Sequence, residues 1–194
     1  MTILEKLLEL DKKLFILINN DLTSDFLNTV LPFTRNAIFW IPLYLFILIF
    51  ILINFRKSGL YWVLLIVATA TVTDIVSSHI IKENIMRLRP CQDPAMASQM
   101  NFLLNYCPQS SSFTSSHATT HFGFAAFVFF SLRRFFGKWL ALFFLWAAII
   151  SYAQVYVGVH YPLDILCGGL IGLTIGYTTA QIFNRHFGLS FTDH

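Results

Sequence analysis

Twenty consecutive residues, Asn36 to Phe55, carry no formal charge. As a helix such a run crosses a hydrocarbon core of roughly 30 Å. Four more apolar stretches follow: Leu60 to Ile81, His117 to Leu132, Trp139 to Val157 and Pro162 to Phe183. Only 12% of the 194 residues are charged, 56% are hydrophobic, and the mean hydropathy is +0.66. A chain so poor in charge is not a soluble domain. The pattern predicts an all-α fold: an integral membrane helical bundle of about five transmembrane helices forming a single domain over residues 1–194. Pro42 is tolerated near the start of the first span. Gly168, Gly172 and Gly176, at four-residue spacing in the last span, permit close helix packing. No internal repeat or low-complexity segment is visible.

Ahead of the first span, residues 3–18 place Ile3, Leu4, Leu7, Leu8, Leu14, Phe15 and Ile18 on one helical face. Glu5, Lys6, Glu9, Lys12 and Lys13 lie on the other. Asp11 is the exception, an acid on the apolar side. This reads as an amphipathic helix in the interface or capping the bundle. Glu5, Glu9 and Asp11 argue against a cleaved signal peptide. Residues 19–35 read as polar and turn-like, and residues 184–194 as a short, mostly polar tail. Asp74 lies inside the second span, where a carboxylate is expensive, and is read as a structural hydrogen-bonding group near the outer end.

Five spans put the polar loop 82–116 and the short connection 158–161 on one side of the membrane. The basic turns, with Arg56, Lys57, Arg133, Arg134, Lys138 and Arg185, fall on the other, with Asp193 as their acidic neighbour. Short basic loops stay in the cytoplasm. The expectation is therefore a bacterial-type cytoplasmic membrane protein with the 82–116 loop facing the periplasm or the outside. Two of the three cysteines, Cys91 and Cys107, lie in that loop, and two readings stand: a disulfide in an oxidising compartment, or two unpaired thiols. The net charge of +3 is too small to suggest a nucleic-acid partner. The oligomeric state is not legible.

Three clusters on the outer side carry chemistry. Lys82, Arg87 and Arg89 put three cations within eight residues at the mouth of a span. Basic residues there commonly do no more than touch headgroups, but Arg also forks onto phosphate oxygens and Lys adds a point charge. Ser115 and Ser116 precede His117 at a helix start, where serine caps and free N–H groups suit an anion. His160 stands just before a helix opened by Pro162, with Asp164 four residues on. The Asp can accept the ring N–H of the His, leaving the other nitrogen as a nucleophile or base.

Together the three clusters resemble the type 2 phosphatidic acid phosphatase family. Lys82, Arg89 and Pro90 match its first motif, spacing included. Thr114-Ser115-Ser116-His117 keeps the Ser and His of its Pro-Ser-Gly-His, but not the Pro and Gly. Ala153-Gln154, then His160, then Asp164 keeps the His and Asp of its third motif, with Gln154 where the family has a phosphate-binding arginine. The resemblance implies that His160 attacks phosphorus to form a phosphohistidine, that Asp164 holds it, and that His117 protonates the leaving oxygen and then activates water. It implies that Lys82, Arg89, Ser115 and the amides of Ser116 and His117 hold the phosphate, with Arg87 available to compensate for the charge missing at Gln154. No cofactor and no metal is implied. His117 and His121 share a helical face, but no carboxylate sits at ligand spacing.

The implied substrate is a membrane lipid phosphate, met in the bilayer. The expectation is undecaprenyl diphosphate or a broad range of lipid phosphates, with lipid A or phosphatidylglycerophosphate as the alternative. A rival of another class is a non-catalytic membrane protein that binds lipid phosphates.

Overall fold

The computed structural model describes residues 2–189. The notable acid beyond them, Asp193, lies outside the described residues, as does the end of the polar tail. The fold is an all-α membrane bundle, with no strand among the described residues. Three helical runs are long and apolar enough to cross a membrane: Ala37–Asn84, Ser116–Tyr156 and Pro162–His186. The first two, at 48 and 41 residues, exceed any bilayer as straight rods, and each folds back on itself.

Helix α1 is Ile3–Ile16, capped by Thr2, whose hydroxyl accepts from Glu5 N while Glu5 reaches back to Thr2 N. Helix α2 is Asp25–Thr34. Helix α3 spans Ile41–Asp74 and breaks at Arg56, which takes φ 44° and ψ −116°. Helices α4, Ser116–Phe136, and α5, Leu142–Tyr156, are separated at Gly137, with φ 65°. Helix α6 is Pro162–His186.

Several expectations change. Residues 19–35 are not simply turn-like. A π-helical turn, Leu17–Asp21, leads to α2, where Ser24 caps the helix by accepting from Leu27 N and Leu31 packs against Ala153 and Tyr156. The basic turn after the first span is a single sharp reversal at Arg56, made possible by Gly59. A Cβ there would lie 2.6 Å from the carbonyl oxygen of Ile51, so only glycine lets the second rod pass so near. The second span ends in a π-helical stretch, Ile75–Ile81, running into Lys82–Asn84, so Lys82 closes the span and does not open the loop. The third span runs on to Phe136, four residues beyond Leu132, and the last helix continues through His186.

The amphipathic α1 is oriented by its exception. Ile3, Leu4, Leu7 and Leu10 are exposed, while Asp11 and Phe15 are buried against the protein. The apolar majority faces outward, toward the lipid interface, and the acid docks the helix.

The core of the bundle is α4 against α6, on the glycine stripe. A Cβ on Gly172 would lie 2.1 Å from the carbonyl oxygen of Thr119, and one on Gly176 would lie 2.1 Å from that of Gly123. The backbones touch, which is how helices gain contact energy where lipid offers no hydrophobic drive. Polar links pin α3 to its neighbours. Trp62 Nε1 donates to Ser131 Oγ at 2.8 Å, and Thr69 Oγ1 to Thr179 Oγ1 at 2.8 Å. Cys91 and Cys107 form a disulfide that closes the loop beyond Arg89.

The glycine contacts generate a stability prediction. Gly172→Leu must push α4 and α6 apart and should cost about 1–3 kcal/mol or more. Leu170→Ala, on the exposed side of the same helix, should cost far less. Melting temperatures of purified protein in detergent check this, and equal losses would refute the close-packing account.

Candidate active site

The glycine stripe sets two chemical ends side by side. Gly168 lies under the start of α4, where a Cβ would meet the carbonyl oxygen of Ser115 at 2.8 Å. Ser115 N donates to the carbonyl oxygen of Asp164 at 3.1 Å, and Ser115 Oγ caps α4 by accepting from Ala118 N. The first turn of α4, with His117, is thereby fixed to the first turn of α6, with Asp164. Ser116 faces elsewhere. Its Oγ is 2.9 Å from Ser78 Oγ, which donates to Asp74 Oδ1. Asp74 thus has the structural role expected of it.

His160 ends a tight connection between α5 and α6. Gly158, at φ 90°, turns the chain in a space where a Cβ would strike Met100. The carbonyl of Gln154 accepts from both Val159 N and His160 N, at 3.1 and 3.2 Å. The His160 ring is buried, with Nδ1 3.5 Å from Asp164 Oδ2 and 3.5 Å from Ser112 Oγ. Asp164 Oδ2 also accepts from Ser112 Oγ at 2.5 Å and from Tyr161 N at 2.8 Å. On the far side of the ring, Arg89 NH1 stands 3.0 Å from Nε2. A guanidinium can only donate, so Nε2 presents its lone pair and the ring proton sits on Nδ1, toward Asp164. Burial pushes the His160 pKa down to about 4, against the opposing pull of Asp164, so the ring is neutral at physiological pH.

Arg89 is held on every side. Its Nε donates to Ser110 O at 2.8 Å, NH1 to Val159 O at 3.0 Å, and NH2 to Ser110 Oγ at 3.1 Å. Lys82 lies within electrostatic reach of Arg89, Asp74 and Asp164. His117 stands one turn before His121, the two rings parallel with centroids 6.0 Å apart. His121 Nδ1 is 2.7 Å from the His117 carbonyl oxygen, and His121 leans on Trp146.

Arg87 does not join the phosphate-facing group. Its NH1 donates to Asp164 Oδ1 and its NH2 to Asp11 Oδ2, both at 2.6 Å, and its guanidinium stacks on Tyr161 at 4.2 Å. A guanidinium bridging two buried carboxylates is committed to structure, which corrects the expectation that it replaces the charge missing at Gln154. Gln154 is fully buried, and its Oε1 is 3.4 Å from Arg35 Nε.

Three residues of this cluster were not identified from sequence: Asp11, Arg35 and Ser112. Asp11 left a signal, as an acid on an apolar helix face. It accepts from Leu163 N at 2.8 Å as well as from Arg87, and burial raises its carboxyl above the usual range in spite of these partners. Arg35 was legible only as the charge that bounds the first apolar run. Ser112 left none.

Two predictions follow from this geometry. Arg87→Met leaves Asp11 and Asp164 as buried carboxylates without their shared cation and should cost about 3–5 kcal/mol, read as a fall in melting temperature. Stability should also decline as pH falls from above 6.5 toward 4. Over that window the unfolded chain takes up a proton on His160 that the folded site refuses. Melting temperatures of wild type and His160→Gln across that range check this, with the variant declining less.

Comparison with known proteins agrees with the geometry. Residues 59–187 match the PAP2 superfamily. The chain is 31% identical over 172 residues to the lipid A 4'-phosphatase of Bacteroides thetaiotaomicron, covering 87% of this chain and 75% of that protein. It is 32% identical over 144 residues to the undecaprenyl-diphosphatase of Sulfolobus acidocaldarius, covering 74% of this chain and 63% of that one. The crystal structure of Aquifex aeolicus LpxE superposes with a TM-score of 0.62 at 26% identity, over 87% of this chain and 93% of that one. The fold is also that of a PAP2-type phosphatidylglycerolphosphate phosphatase from Bacillus subtilis, with a TM-score of 0.63 at 23% identity over 95% of this chain and 88% of that one. A match over residues 59–187, carrying Lys82, Arg89, His117, His160 and Asp164 in one cluster, makes this chain a member of the PAP2 superfamily, the family of type 2 phosphatidic acid phosphatases.

Proposed function

We propose that this chain hydrolyses a phosphate ester on a membrane lipid through a phosphohistidine at His160. The observation that carries the reading is the His160 ring, with its proton directed to Asp164 and its Nε2 lone pair beside Arg89. In the first step Nε2 attacks phosphorus, the bond from phosphorus to the lipid oxygen breaks, and His117 gives that oxygen a proton. In the second step water attacks phosphorus, His117 takes a proton from it, the P–N bond breaks and inorganic phosphate leaves. Asp164 steadies the positive charge on the ring throughout, as an orienting carboxylate does for other nucleophile–base pairs. Arg89, Lys82 and the N-terminal amides of α4 offset the charge on the transferred phosphoryl group. Each of these roles needs only side chains and backbone amides of this chain, and the reading is of a metal-independent phosphatase.

Two features favour a lipid as the substrate. The spans are exposed along most of their length, as lipid-facing helices are. An apolar cavity of about 430 Å³, lined by Tyr44, Trp62, Phe124, Trp146 and His121, lies beside the helix that carries His117. A hydrocarbon chain in that cavity leaves its phosphate near the water boundary.

The substrate reading moves from the initial expectation toward a lipid A phosphate. Lipid A 4'-phosphatases match over 87% and 98% of this chain, and the Sulfolobus undecaprenyl-diphosphatase over 74%. Undecaprenyl diphosphate is the second reading, favoured by that last match at 32% identity. The disulfide supports an active site facing an oxidising compartment outside the cytoplasm, the side also indicated by the basic turns around Arg56 and Arg133.

The test is phosphate release by purified protein in detergent with EDTA, using lipid A, undecaprenyl diphosphate, phosphatidylglycerophosphate and phosphatidic acid in parallel, for wild type and His160→Ala. The expected result is release by wild type, fastest with lipid A, and none by the variant. Release by both proteins alike would rule out the phosphohistidine. No release from any lipid would favour a non-catalytic binder of lipid phosphates.

A further inference from the structure

We propose that Arg35 is a phosphate-binding residue of this active site, held in place by Gln154, and that the two together replace the arginine the family carries at position 154. The inference rests on the phosphatase reading of the site and adds a residue that lies outside the region matched to the superfamily, which begins at residue 59.

Position 154 is built into the site. The backbone carbonyl of Gln154 accepts from His160 N, so its side chain starts one short turn from the nucleophile. An arginine there would bring its own charge. Glutamine is fully buried, and its carboxamide splits into two functions. Oε1 accepts from Arg35 Nε at 3.4 Å. Nε2, a donor, has no partner among the described residues, and a buried donor in that condition costs free energy unless an acceptor meets it.

Arg35 arrives from a different part of the chain. It caps the C-terminal end of α2, its N–H bonded to Leu31 O, and the turn beyond it is pinned by Trp40 Nε1 donating to Thr34 O at 2.7 Å. Helix α2 is fixed to α5 by Leu31 on Ala153 and Tyr156, and by Tyr156 Oη donating to Asn28 Oδ1 at 2.7 Å. The docking of α2 thus decides that Arg35 meets Gln154. No carboxylate pairs with Arg35 among the described residues. Its Nε is engaged, while its terminal nitrogens have no hydrogen-bond acceptor among the described residues. Its charge is felt at Arg89, which burial above all, and then Arg35, hold down at about 10. A buried guanidinium at Arg89, a half-buried one at Arg35 that repels it, and an unmet amide donor at Gln154 ask for an anion with several acceptor oxygens. A phosphoryl group fits that demand.

The experiment measures orthovanadate binding by thermal shift, and kcat/KM on the best lipid substrate, for Arg35→Ala, Arg35→Lys and the double variant Arg35→Ala with Gln154→Arg. Arg35→Ala should weaken vanadate and lower kcat/KM by roughly 10- to 100-fold. Arg35→Lys should fall between it and wild type, since a point charge replaces the fork. The double variant should recover most of both losses, because the charge returns from the other side of the same contact. Vanadate affinity in Arg35→Ala within twofold of wild type would overturn the proposal. A loss left uncorrected in the double variant would mark Arg35 as structural and overturn it too. Should wild type release phosphate from no lipid, the phosphatase reading fails while the vanadate comparison still decides the role of Arg35.

Discussion

The Arg87 guanidinium, clamped between Asp11 and Asp164, is the interaction on which the site depends. It joins three parts of the chain, helix α1, the loop that carries Arg89 and the start of α6, and the Lys12–Asp93 pair and the Ser112–Asp164 bond tie the same parts together. Taking three charges out of water is expensive, and the arrangement holds because each carboxylate has further partners. Asp11 accepts from Leu163 N, and Asp164 accepts from Ser112 Oγ and Tyr161 N. Asp164 therefore reaches His160 already oriented by its neighbours. The stack of Arg87 on Tyr161, and the edge contact of Phe15 on Tyr161, extend the same knot into the apolar layer.

Around that knot the bundle provides rigidity by contact between backbones. The helices that deliver His117 and Asp164 approach through Gly168, Gly172 and Gly176, so their first turns are fixed relative to one another without a long side chain intervening. This matters for chemistry that depends on positioning, because small displacements of an acid or a nucleophile cost large factors in rate. The same N-terminal turn of α4 that caps on Ser115 directs free amides and a partial positive charge toward the place where a phosphate would lie. Fold and site are in this sense one object: the helix packing that stabilises the protein in lipid also builds the anion hole.

Departures from the family pattern are absorbed locally. Losing Pro and Gly from the second motif leaves the cap at Ser115 intact, and Ser116 turns its hydroxyl to Ser78 and Asp74. Where the third motif loses its arginine, Arg35, at the C-terminal cap of α2, donates to the Gln154 carboxamide that stands in its place. Both Asp11 and Arg35 come from the N-terminal part of the chain, before the region shared with the superfamily, so the segment ahead of the first span packs directly against the residues around His160 and Asp164.

Much of this was legible in the sequence. Uncharged runs of about 20 residues can satisfy their backbone in lipid only as helices, so the all-α membrane bundle follows from composition and length alone. The glycine stripe is periodic and local, and announced close packing. Lys82, Arg89, His117, His160 and Asp164 could be named because their spacing and residue types are themselves the signal. The rest depended on contacts between residues 52 to 152 positions apart. That Asp11 is buried, that Arg87 bridges two carboxylates, that Ser112 supports Asp164, and that Arg35 meets Gln154 are facts about which surfaces dock, and no local pattern encodes them. The sequence by itself determined which segments lie in the membrane and which residues can do phosphoryl chemistry. Only the tertiary structure decided which arginine bridges two carboxylates and which meets Gln154, because a guanidinium's partners are set by the acceptors that reach it, and those come from elsewhere in the chain.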